Sequence, residues 1–248
     1  MLVDGKKVAE EVLKGLERER KHFGALKLGL VMEGGDAATE SFVKIKSRIA
    51  ERLKITTARY SPQEMSKAIK ECDGIIVQLP IAHDAELLAK LPPGKDIDGL
   101  SKKPVVRPPV AEAICEIFDR CNIAARGKHA VVVGAGRLVG APAAELLRDL
   151  GAKVEVVTEH DSLEPLHFAD IVVLGAGKPG LIEPDMLHRG VVLIDAGTSE
   201  QGGKVKGDAR PSCANVASVF TPVPGGVGPI AVAMIFKNLF VLARRNKK

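Results

Sequence analysis

The sequence predicts an α/β fold divided into two domains. Short apolar runs alternate with amphipathic helical segments along most of the chain, a pattern typical of parallel strands joined by helical crossovers. Residues 91–109 are rich in Pro, Gly and Lys, show no hydrophobic period, and separate two such alternating series, so we predict an exposed connection there. The chain has 248 residues, of which 46% are hydrophobic, and this is enough for a core in each domain.

The first alternating series begins with an amphipathic helix, because Val8, Val12 and Leu16 recur at helical spacing. The elements predicted after it are a strand at residues 28–32, a helix at 39–53 with Thr39 as its N-cap, a strand at 55–60, a helix at 63–71 and a strand at 74–79. Pro80 is expected to end the last of these strands.

The second series follows a predicted helix at residues 111–120. Its strands are predicted at residues 129–133, 153–158, 170–174 and 191–195, with helices in most of the gaps between them. The last periodic segment, residues 229–244, is an apolar helix with Pro229 in its first turn.

A glycine-rich turn lies between the first strand of this second series and the segment that follows it. Residues 129–147 read HAVVVGAGRLVGAPAAELL, so Gly134, Ala135 and Gly136 lie between a hydrophobic strand and a helix. Glycines there allow the backbone to approach a pyrophosphate, and the start of the helix offers free N–H groups. The glycine spacing is one residue longer than the usual fingerprint. The arrangement predicts a Rossmann-type dinucleotide-binding domain.

The residues around this turn do not decide between NAD and NADP. Glu159 lies 25 residues beyond Gly134, at the end of the next predicted strand, where an acid can bind the ribose hydroxyls of NAD. Arg137, inside the turn, is a candidate partner for the extra phosphate of NADP. A solvent-facing role is an equally good interpretation of either side chain.

Net charge and cysteine content do not favour a nucleic-acid partner, a membrane partner or a metal site. The formal net charge is +5, and four of the positive charges lie in the last five residues. Such a tail can touch nucleic acid or an acidic membrane, but no aromatic residues interleave with it, which favours a solvated helix end. The four cysteines form no C-x-x-C pair and have no histidine at zinc-ligand spacing, so no metal site is predicted.

The N-terminus becomes charged after three residues and is therefore not expected to be a signal peptide. No uncharged apolar run reaches the roughly 18 residues that span a bilayer. Together with the unpaired cysteines, these features predict a cytoplasmic protein without nucleic-acid or membrane partners.

Several segments together resemble one family, the bifunctional methylenetetrahydrofolate dehydrogenase/cyclohydrolases, and the resemblance covers nearly the whole chain. The segments are DGKKVAEEV near the N-terminus, TESFVKIKSRIAERLKI (39–55), GIIVQLPI (74–81), PPGKDIDGL (92–100), the glycine turn, GKPGLI (177–182), IDAGT (194–198) and TPVPGGVGPIAVAM (221–234). The QLP, KDIDG and PVPGGVGP segments, in that order around a nucleotide motif, are highly specific.

This resemblance implies a particular domain organisation and reaction. It implies an N-terminal α/β catalytic domain at residues 1–112 plus 229–248, with the C-terminal helix returning to it, and a dinucleotide-binding domain at 113–228, the two facing each other across a cleft that holds the folate. It implies oxidation of 5,10-methylenetetrahydrofolate to the methenyl compound with NADP, NAD being the alternative cofactor, followed by hydrolysis to 10-formyltetrahydrofolate. It also implies a homodimer.

The resemblance assigns roles to individual residues by their positions in these segments. Lys46 matches the catalytic lysine and Gln78 its partner, and Asp98 matches the acid that binds the amino-pyrimidine edge of the pterin. The positions that match cofactor contacts are Gly134, Ala135, Gly136 and Thr198, with Arg137 as phosphate partner. The positions that match the substrate-binding loop are Pro224, Gly225, Gly226 and Val227. Phe42 and Lys46 are four residues apart on one predicted helix and share a face.

Phe42 is a departure, because the family usually has Tyr there. Phe keeps ring stacking against the substrate but removes a hydroxyl, so the alternative function is a dehydrogenase without the hydrolase. The segment from Thr158 to Asp161 is shorter and more acidic than in the family, which keeps NAD open as the cofactor. Rival interpretations are a dehydrogenase for another one-carbon carrier, such as a methanopterin, and a nucleotide-sensing or nucleic-acid-binding protein on a Rossmann scaffold.

Overall fold

The computed structural model describes residues 1–34 and 37–246, with the backbone but not the side chains of residues 37–39, 41 and 42. The chain forms two compact units. The five-stranded unit comprises Met1–Ala9 and Val110–Ala231, and the three-stranded unit comprises Glu10–Pro109 and Val232–Lys248. The predicted domain boundaries differ from this division at residues 1–9, 110–112 and 229–231, and they stay a prediction.

The three-stranded unit alternates helices and strands, as the hydrophobic pattern predicts. Its elements are α1 (Gly5–Arg20, entering from the other unit), β1 (Lys27–Val31), α2 (Ala37–Arg52), β2 (Thr56–Tyr60), α3 (Met65–Glu71), β3 (Gly74–Val77) and α4 (Asp84–Lys90). The strands pair in parallel in the order β2-β1-β3. All four residues of β3 are buried, which is why its sequence is a continuous apolar run rather than an alternating one.

Two boundaries in this unit differ from the prediction. Helix α2 begins at Ala37, so Thr39 lies inside its first turn and is not the N-cap. Threonine suits a cap and a first turn alike, and its position relative to the apolar residues does not distinguish the two. Helix α4 was not predicted, because only two of its seven residues, Leu87 and Leu88, are buried and they are adjacent, so they give no helical period.

Residues 91–109 have no strand and no helix before Pro109, as predicted. The prediction that the segment is exposed is wrong for its middle part, although residues 102–104 are exposed. Asp96 and Ile97 expose 1% and 0% of their surface. The segment runs beside β3, where Ile75 N–H donates to the Lys95 carbonyl and Ile75 bridges Asp96 in parallel. The backbone carbonyls of Lys95, Ile97 and Arg107 accept hydrogen bonds from other parts of the protein, which favours burial of the segment.

The C-terminal helix α7 (Val227–Arg245) belongs largely to the three-stranded unit, as predicted, where it packs on α1. Arg244 forms an ion pair of 2.8 Å with Glu19, and the Phe23 and Phe240 rings lie 4.7 Å apart. Asn238, 3% exposed, donates hydrogen bonds of 2.9 Å to the carbonyls of Ile97 and Arg107. This amide ties the helix to the irregular segment.

In the described part of the chain, α7 is the one helix long and apolar enough to cross a bilayer. A buried core helix passes the same test, and 67% of the most apolar stretch of α7 is buried within the protein. Packing therefore accounts for its apolar sequence.

We expect Asn238→Ala to lower the free energy of unfolding by about 2–4 kcal/mol, because it leaves two carbonyls without their donor. Urea denaturation followed by circular dichroism measures the change. Asn246→Ala is the matched control, since that exposed amide donates one bond, to Gly94, and its loss should cost about 0.5 kcal/mol or less. Equal losses in the two variants would contradict the structural role of Asn238.

The five-stranded unit contains the glycine turn. Its elements are α5 (Pro109–Cys121, starting at the unit boundary), β4 (His129–Val133), α6 (Gly140–Asp149), β5 (Lys153–Val157), β6 (Ile171–Leu174), β7 (Val192–Asp195), β8 (Ser199–Gln201), β9 (Lys204–Lys206), β10 (Val219–Thr221) and the first residues of α7. The main sheet is parallel in the order β10-β7-β6-β4-β5, and β8 and β9 form a separate antiparallel hairpin. The four predicted strands are confirmed.

The prediction of helices in most gaps of this sheet is wrong. Only the gap between β4 and β5 holds an α-helix, and the later gaps contain the 3-10 turns Glu164–Phe168, Pro184–Met186 and Pro211–Asn215. Each turn has proline at its first or second position, which suits a short turn. Strand β10 and the hairpin were not predicted, because three-residue strands give too few residues for a period.

The N-terminal residues extend this sheet at its β10 edge. Leu2 bridges Phe220 in parallel, and Val3 N–H donates to the Phe220 carbonyl at 2.9 Å. Gly5 N–H donates to the Gly225 carbonyl, also at 2.9 Å. A Cβ on Gly5 would overlap the Gly226 carbonyl, so the start of α1 and the loop before α7 approach as closely as only glycine allows.

Candidate functional site

Lys46 lies on α2 at the border between the buried and exposed faces of the helix. Val43 and Ala50, three residues before it and four after it, are fully buried, whereas Lys44 and Ile45 are exposed. Residues three and four apart share a helix face, so the stem of Lys46 is drawn toward the core. Its ammonium donates a 2.8 Å hydrogen bond to Gln78 Oε1.

Gln78 follows directly on β3, at the carboxyl end of the three-stranded sheet. Its backbone N–H donates to the Val31 carbonyl, and its side-chain Nε2 donates to the Leu79 carbonyl at 3.1 Å. The first bond holds the backbone of Gln78, and the second orients its side-chain amide so that Oε1 is directed at Lys46. The following Leu79–Pro80 peptide is cis.

Asp98 reaches the same edge from the buried segment beside β3, two residues after the one that bridges Ile75. The chain turns sharply behind it, because Gly99 has φ +64° and a Cβ there would lie 2.7 Å from the Val106 carbonyl oxygen. Asp96, fully buried next to it, accepts a 2.6 Å bond from Ser101 N–H. The turn presents the Asp98 carboxylate while Asp96 holds the loop.

The electrostatics of these groups depart from those of solvated side chains. Burial lowers the pKa of Lys46, and the negative charge of Asp98 opposes that change. Burial raises the pKa of Asp98 to about 6, with Lys46 lowering it and Asp96 adding to the rise. The side chains of Lys46, Gln78 and Asp98 thus form one site. In it the pKa of the lysine is lowered and the pKa of the aspartate is raised.

The other residues predicted to bind substrate have separate outcomes. The side chain of Phe42 lies outside the described residues. Pro224 to Val227 connect β10 to α7 in the five-stranded unit, after a cis Val223–Pro224 peptide, and Gly225 has φ +107°. Val227 exposes only 2% of its surface. The role of these five residues in binding stays a prediction.

A second candidate site is a cavity of about 380 Å³ at the carboxyl ends of β4, β5 and β6. It lies around β4, where the chain adds β5 on one side and then crosses over to add β6 on the other; such a reversal point is where open parallel sheets bind ligands. The lining residues are Val133, Gly134, Ala135, Gly136, Thr158, Glu159, Asp161, Leu163, Gly175, Ala176, Lys178 and Leu181. Gly134, Ala135 and Gly136 form the predicted glycine turn.

The glycines of this turn suit a dinucleotide. Gly134 has φ +98°, and a Cβ there would lie 2.6 Å from the Gly175 carbonyl oxygen. A Cβ on Gly140 would overlap the Gly134 carbonyl, so the start of α6 lies against the turn. A Cβ on Gly136 would meet nothing within 4 Å, so open space lies beside the backbone there. A pyrophosphate binds where backbone N–H groups near the start of a helix are accessible and no side chain blocks its approach.

Two of the remaining predicted cofactor residues do not line this cavity. Arg137 and Thr198 are exposed and are not among the residues that line the cavity. Glu159 does line it, and Lys178, which sequence reasoning assigned no role, contributes the cavity's lysine. The position of Lys178 just after a buried apolar run was the available signal, because the ends of parallel strands meet at one edge of a sheet.

Asp208 holds the loop that carries Lys178, a role that the sequence did not reveal. Its fully buried carboxylate accepts bonds of 2.7, 3.0 and 2.8 Å from the backbone N–H groups of Ala176, Gly177 and Lys178. Burial raises its pKa. Asp195, at the end of β7, accepts from the N–H groups of Asp208 and Ala209, and burial raises its pKa to about 7. Two buried acids thus shape one wall of the cavity.

The chain is similar over most of its length to known proteins. A sequence model described as "Tetrahydrofolate dehydrogenase/cyclohydrolase, NAD(P)-binding domain" matches residues 108–247. A curated relative from Caldanaerobacter subterraneus, "Bifunctional protein FolD", is 34% identical over 267 residues, which cover 96% of this chain and 95% of the relative.

Two solved structures have similar folds across their full lengths. The Trypanosoma brucei N5,N10-methylenetetrahydrofolate dehydrogenase-cyclohydrolase (FolD), complexed with NADP cofactor and inhibitor, has a TM-score of 0.92 and 29% identity, covering 100% of this chain and 98% of that one. The Campylobacter jejuni FolD enzyme has a TM-score of 0.91 and 27% identity, covering 99% of both chains.

Proposed function

This chain belongs to the tetrahydrofolate dehydrogenase/cyclohydrolase family, and we propose from this that it oxidises 5,10-methylenetetrahydrofolate with NADP and hydrolyses the methenyl product to 10-formyltetrahydrofolate. The observation that carries the proposal is the 2.8 Å bond between Lys46 and Gln78 beside Asp98, in a place where burial lowers the pKa of the lysine. A solvated surface lysine would have neither the fixed partner nor the lowered pKa.

Lys46 is the proposed acid and base of the hydrolysis. In this step a water oxygen bonds to the methenyl carbon, the bond from that carbon to N5 breaks, and the formyl group stays on N10. The neutral amine of Lys46 accepts a proton from the attacking water, and the resulting ammonium donates one to N5 as it leaves. The cationic substrate and water together give neutral product and one released proton. Burial favours the neutral amine that this step requires.

Gln78 is the proposed positioning residue for Lys46. Its Oε1 accepts from the ammonium, and its Nε2 is already committed to the Leu79 carbonyl. The lysine is therefore oriented before substrate arrives, which reduces the reorganisation that proton transfer needs.

Asp98 is the proposed binding group for the pterin. The amino-pyrimidine edge presents two parallel N–H donors, and a carboxylate accepts both. The resemblance implies that Phe42 stacks on the ring system, and it also assigns substrate binding to Pro224, Gly225, Gly226 and Val227. With a pKa of about 6, Asp98 is mostly ionised at neutral pH.

The cavity of the five-stranded unit is the proposed nucleotide site. Gly134, Ala135 and Gly136 would hold the pyrophosphate, with Thr198 and Arg137 as further predicted contacts. When bound, the nicotinamide accepts the hydride that leaves the methylene carbon of the folate. The protein contributes alignment: the turn and Asp98 each fix one of the two reactants.

The pH dependence of dehydrogenase kcat/KM should reveal Asp98. Because burial raises its pKa to about 6, protonation removes the binding carboxylate at a higher pH than for an ordinary aspartate, and kcat/KM should fall about tenfold per pH unit below 6. Lys46 and Asp96 also face this carboxylate. Asp98→Asn should lower kcat/KM and abolish this acid limb, whereas Asp119→Asn, an exposed control, should keep it. A limb that persists in Asp98→Asn would contradict the assignment.

A direct assay tests the proposed function. Purified protein is mixed with methylenetetrahydrofolate and NADP or NAD, and absorbance follows the methenyl product; methenyltetrahydrofolate is then supplied alone. We expect oxidation with nucleotide and hydrolysis faster than in buffer. No oxidation with either nucleotide refutes the proposal, and oxidation without hydrolysis supports the dehydrogenase-only alternative. The curated relative, named bifunctional, favours both activities.

We also propose that the chain is a cytoplasmic homodimer without nucleic-acid or membrane partners. The family resemblance supports the dimer, and the four free cysteines support a reducing compartment. Light scattering during size-exclusion chromatography tests the homodimer, since a monomer at micromolar concentration would contradict it.

A further inference from the structure

Two oppositely charged side chains face each other in the lining of the nucleotide cavity. Lys178 Nζ lies 2.6 Å from Glu159 Oε1, and the side chains are 49% and 66% exposed. Glu159 comes two residues after β5, and Lys178 four residues after β6. Their hydrogen bond lowers the pKa of Glu159, so the acid is ionised at neutral pH.

The fold places this ion pair where a nucleotide's adenosine ribose binds. In dinucleotide-binding sheets, the acid that follows the second strand of the series accepts hydrogen bonds from the ribose hydroxyls. Strand β5 is that second strand, because it follows the glycine turn and α6 and pairs with β4. Glu159 is therefore at the ribose, and Lys178 is within one hydrogen bond of it.

The two cofactors make opposite demands at this point. NAD has a free 2′-hydroxyl that can donate to the Glu159 carboxylate, whereas NADP has a 2′-phosphate that the carboxylate repels and an ammonium attracts. Both side chains are partly exposed, so Lys178 can leave Glu159 for a phosphate at small cost, since exposed ion pairs are weak. Arg137 does not line the cavity.

We propose that the Glu159–Lys178 ion pair sets the preference of this enzyme between NAD and NADP. Lys178 binds the 2′-phosphate of NADP, and Glu159 binds the ribose hydroxyls of NAD. This inference rests on the proposed function only in that it requires a nucleotide site. An ion pair that only stabilised the surface would change the Kd values of both cofactors by the same factor.

Binding measurements on the whole protein test the pair. Isothermal titration calorimetry gives Kd for NADP and for NAD with wild type, Glu159→Gln and Lys178→Met. Losing one charge-assisted hydrogen bond should shift the ratio of the two Kd values by about tenfold or more, toward NADP in Glu159→Gln and toward NAD in Lys178→Met. Lys128→Met is the matched control, because it removes an exposed ion pair to Asp170 at the opposite end of the sheet; its ratio should stay within about twofold of wild type.

Two results would overturn the proposal: a Kd ratio that stays within twofold of wild type in both cavity variants, or a shift in the same direction in both. If the first result came with a shift in Arg137→Ala, the preference would be assigned to Arg137 instead. Urea denaturation of each variant separates lost binding from lost folding. If wild type binds both nucleotides but oxidises no methylenetetrahydrofolate, the proposed function fails and the Kd ratios still decide the role of the pair.

Discussion

Lys46→Met is expected to lower the cyclohydrolase rate by a factor of about 100 to 10,000, the range that one positioned acid–base group contributes. Methionine keeps an apolar stem on the helix face that also carries the buried Val43 and Ala50, but it cannot exchange protons. The dehydrogenase should lose less, because the cofactor accepts the hydride and the protein supplies alignment. The cyclohydrolase rate is measured as the loss of methenyltetrahydrofolate absorbance without nucleotide. The dehydrogenase rate is measured as the formation of that absorbance from methylenetetrahydrofolate and NADP.

Lys44→Met is the matched control for this variant. Lys44 lies two residues away on the same helix, but it is exposed, and its replacement should leave both rates within about twofold. Circular dichroism and urea denaturation establish that both variants are folded. If Lys46→Met hydrolysed methenyltetrahydrofolate as fast as Lys44→Met, the lysine would be a partly solvated side chain without a catalytic role.

The sheets were predictable from the sequence where strands are four or five residues long and apolar. Residues 129–133 and 170–174 bury nearly every side chain, and such runs between turn residues indicate central parallel strands. Strand β10 has only three residues, and its place at the sheet edge depends on pairing with β7. The paired residues of the two strands are 27 positions apart in the sequence. Pairing over that distance is not encoded in any local period.

The Lys46 site was predictable only through the resemblance. A lone helix lysine and a glutamine after a strand are common solvated residues, and nothing in their spacing places one 2.8 Å from the other. Burial of the segment around Asp96 was hidden for a related reason, because its Pro, Gly and Lys content is that of an exposed loop. One of its partners, Asn238, is more than 100 positions away.

Lys178 and Asp208 show the same limit in the other unit. The motif GKPG reads as a turn, and its lysine gains meaning only when β5 and β6 are seen to flank β4. Asp208 lies after a polar hairpin and resembles any surface acid in sequence. Its carboxylate is nevertheless buried and engaged by three backbone donors 30 to 32 positions earlier.

Asp208→Ala is therefore expected to lower the free energy of unfolding by about 2–4 kcal/mol, because three backbone N–H groups lose their shared acceptor. The same change should weaken NADP binding by about tenfold or more, since Ala176 and Lys178 line the cavity and their loop would no longer be held in place. Urea denaturation and calorimetric titration with NADP measure the two effects.

Asp208→Asn and Asp185→Ala make this prediction specific. The asparagine keeps the shape but directs an NH2 group at N–H donors where the carboxylate oxygen was, so it should lose at least half of the stability that alanine loses. Asp185 is exposed on a nearby 3-10 turn, and its replacement should cost about 0.5 kcal/mol or less. If Asp208→Ala bound NADP as tightly as Asp185→Ala, the loop would keep its conformation without the acid, because its glycine and proline alone would suffice to shape the wall of the cavity.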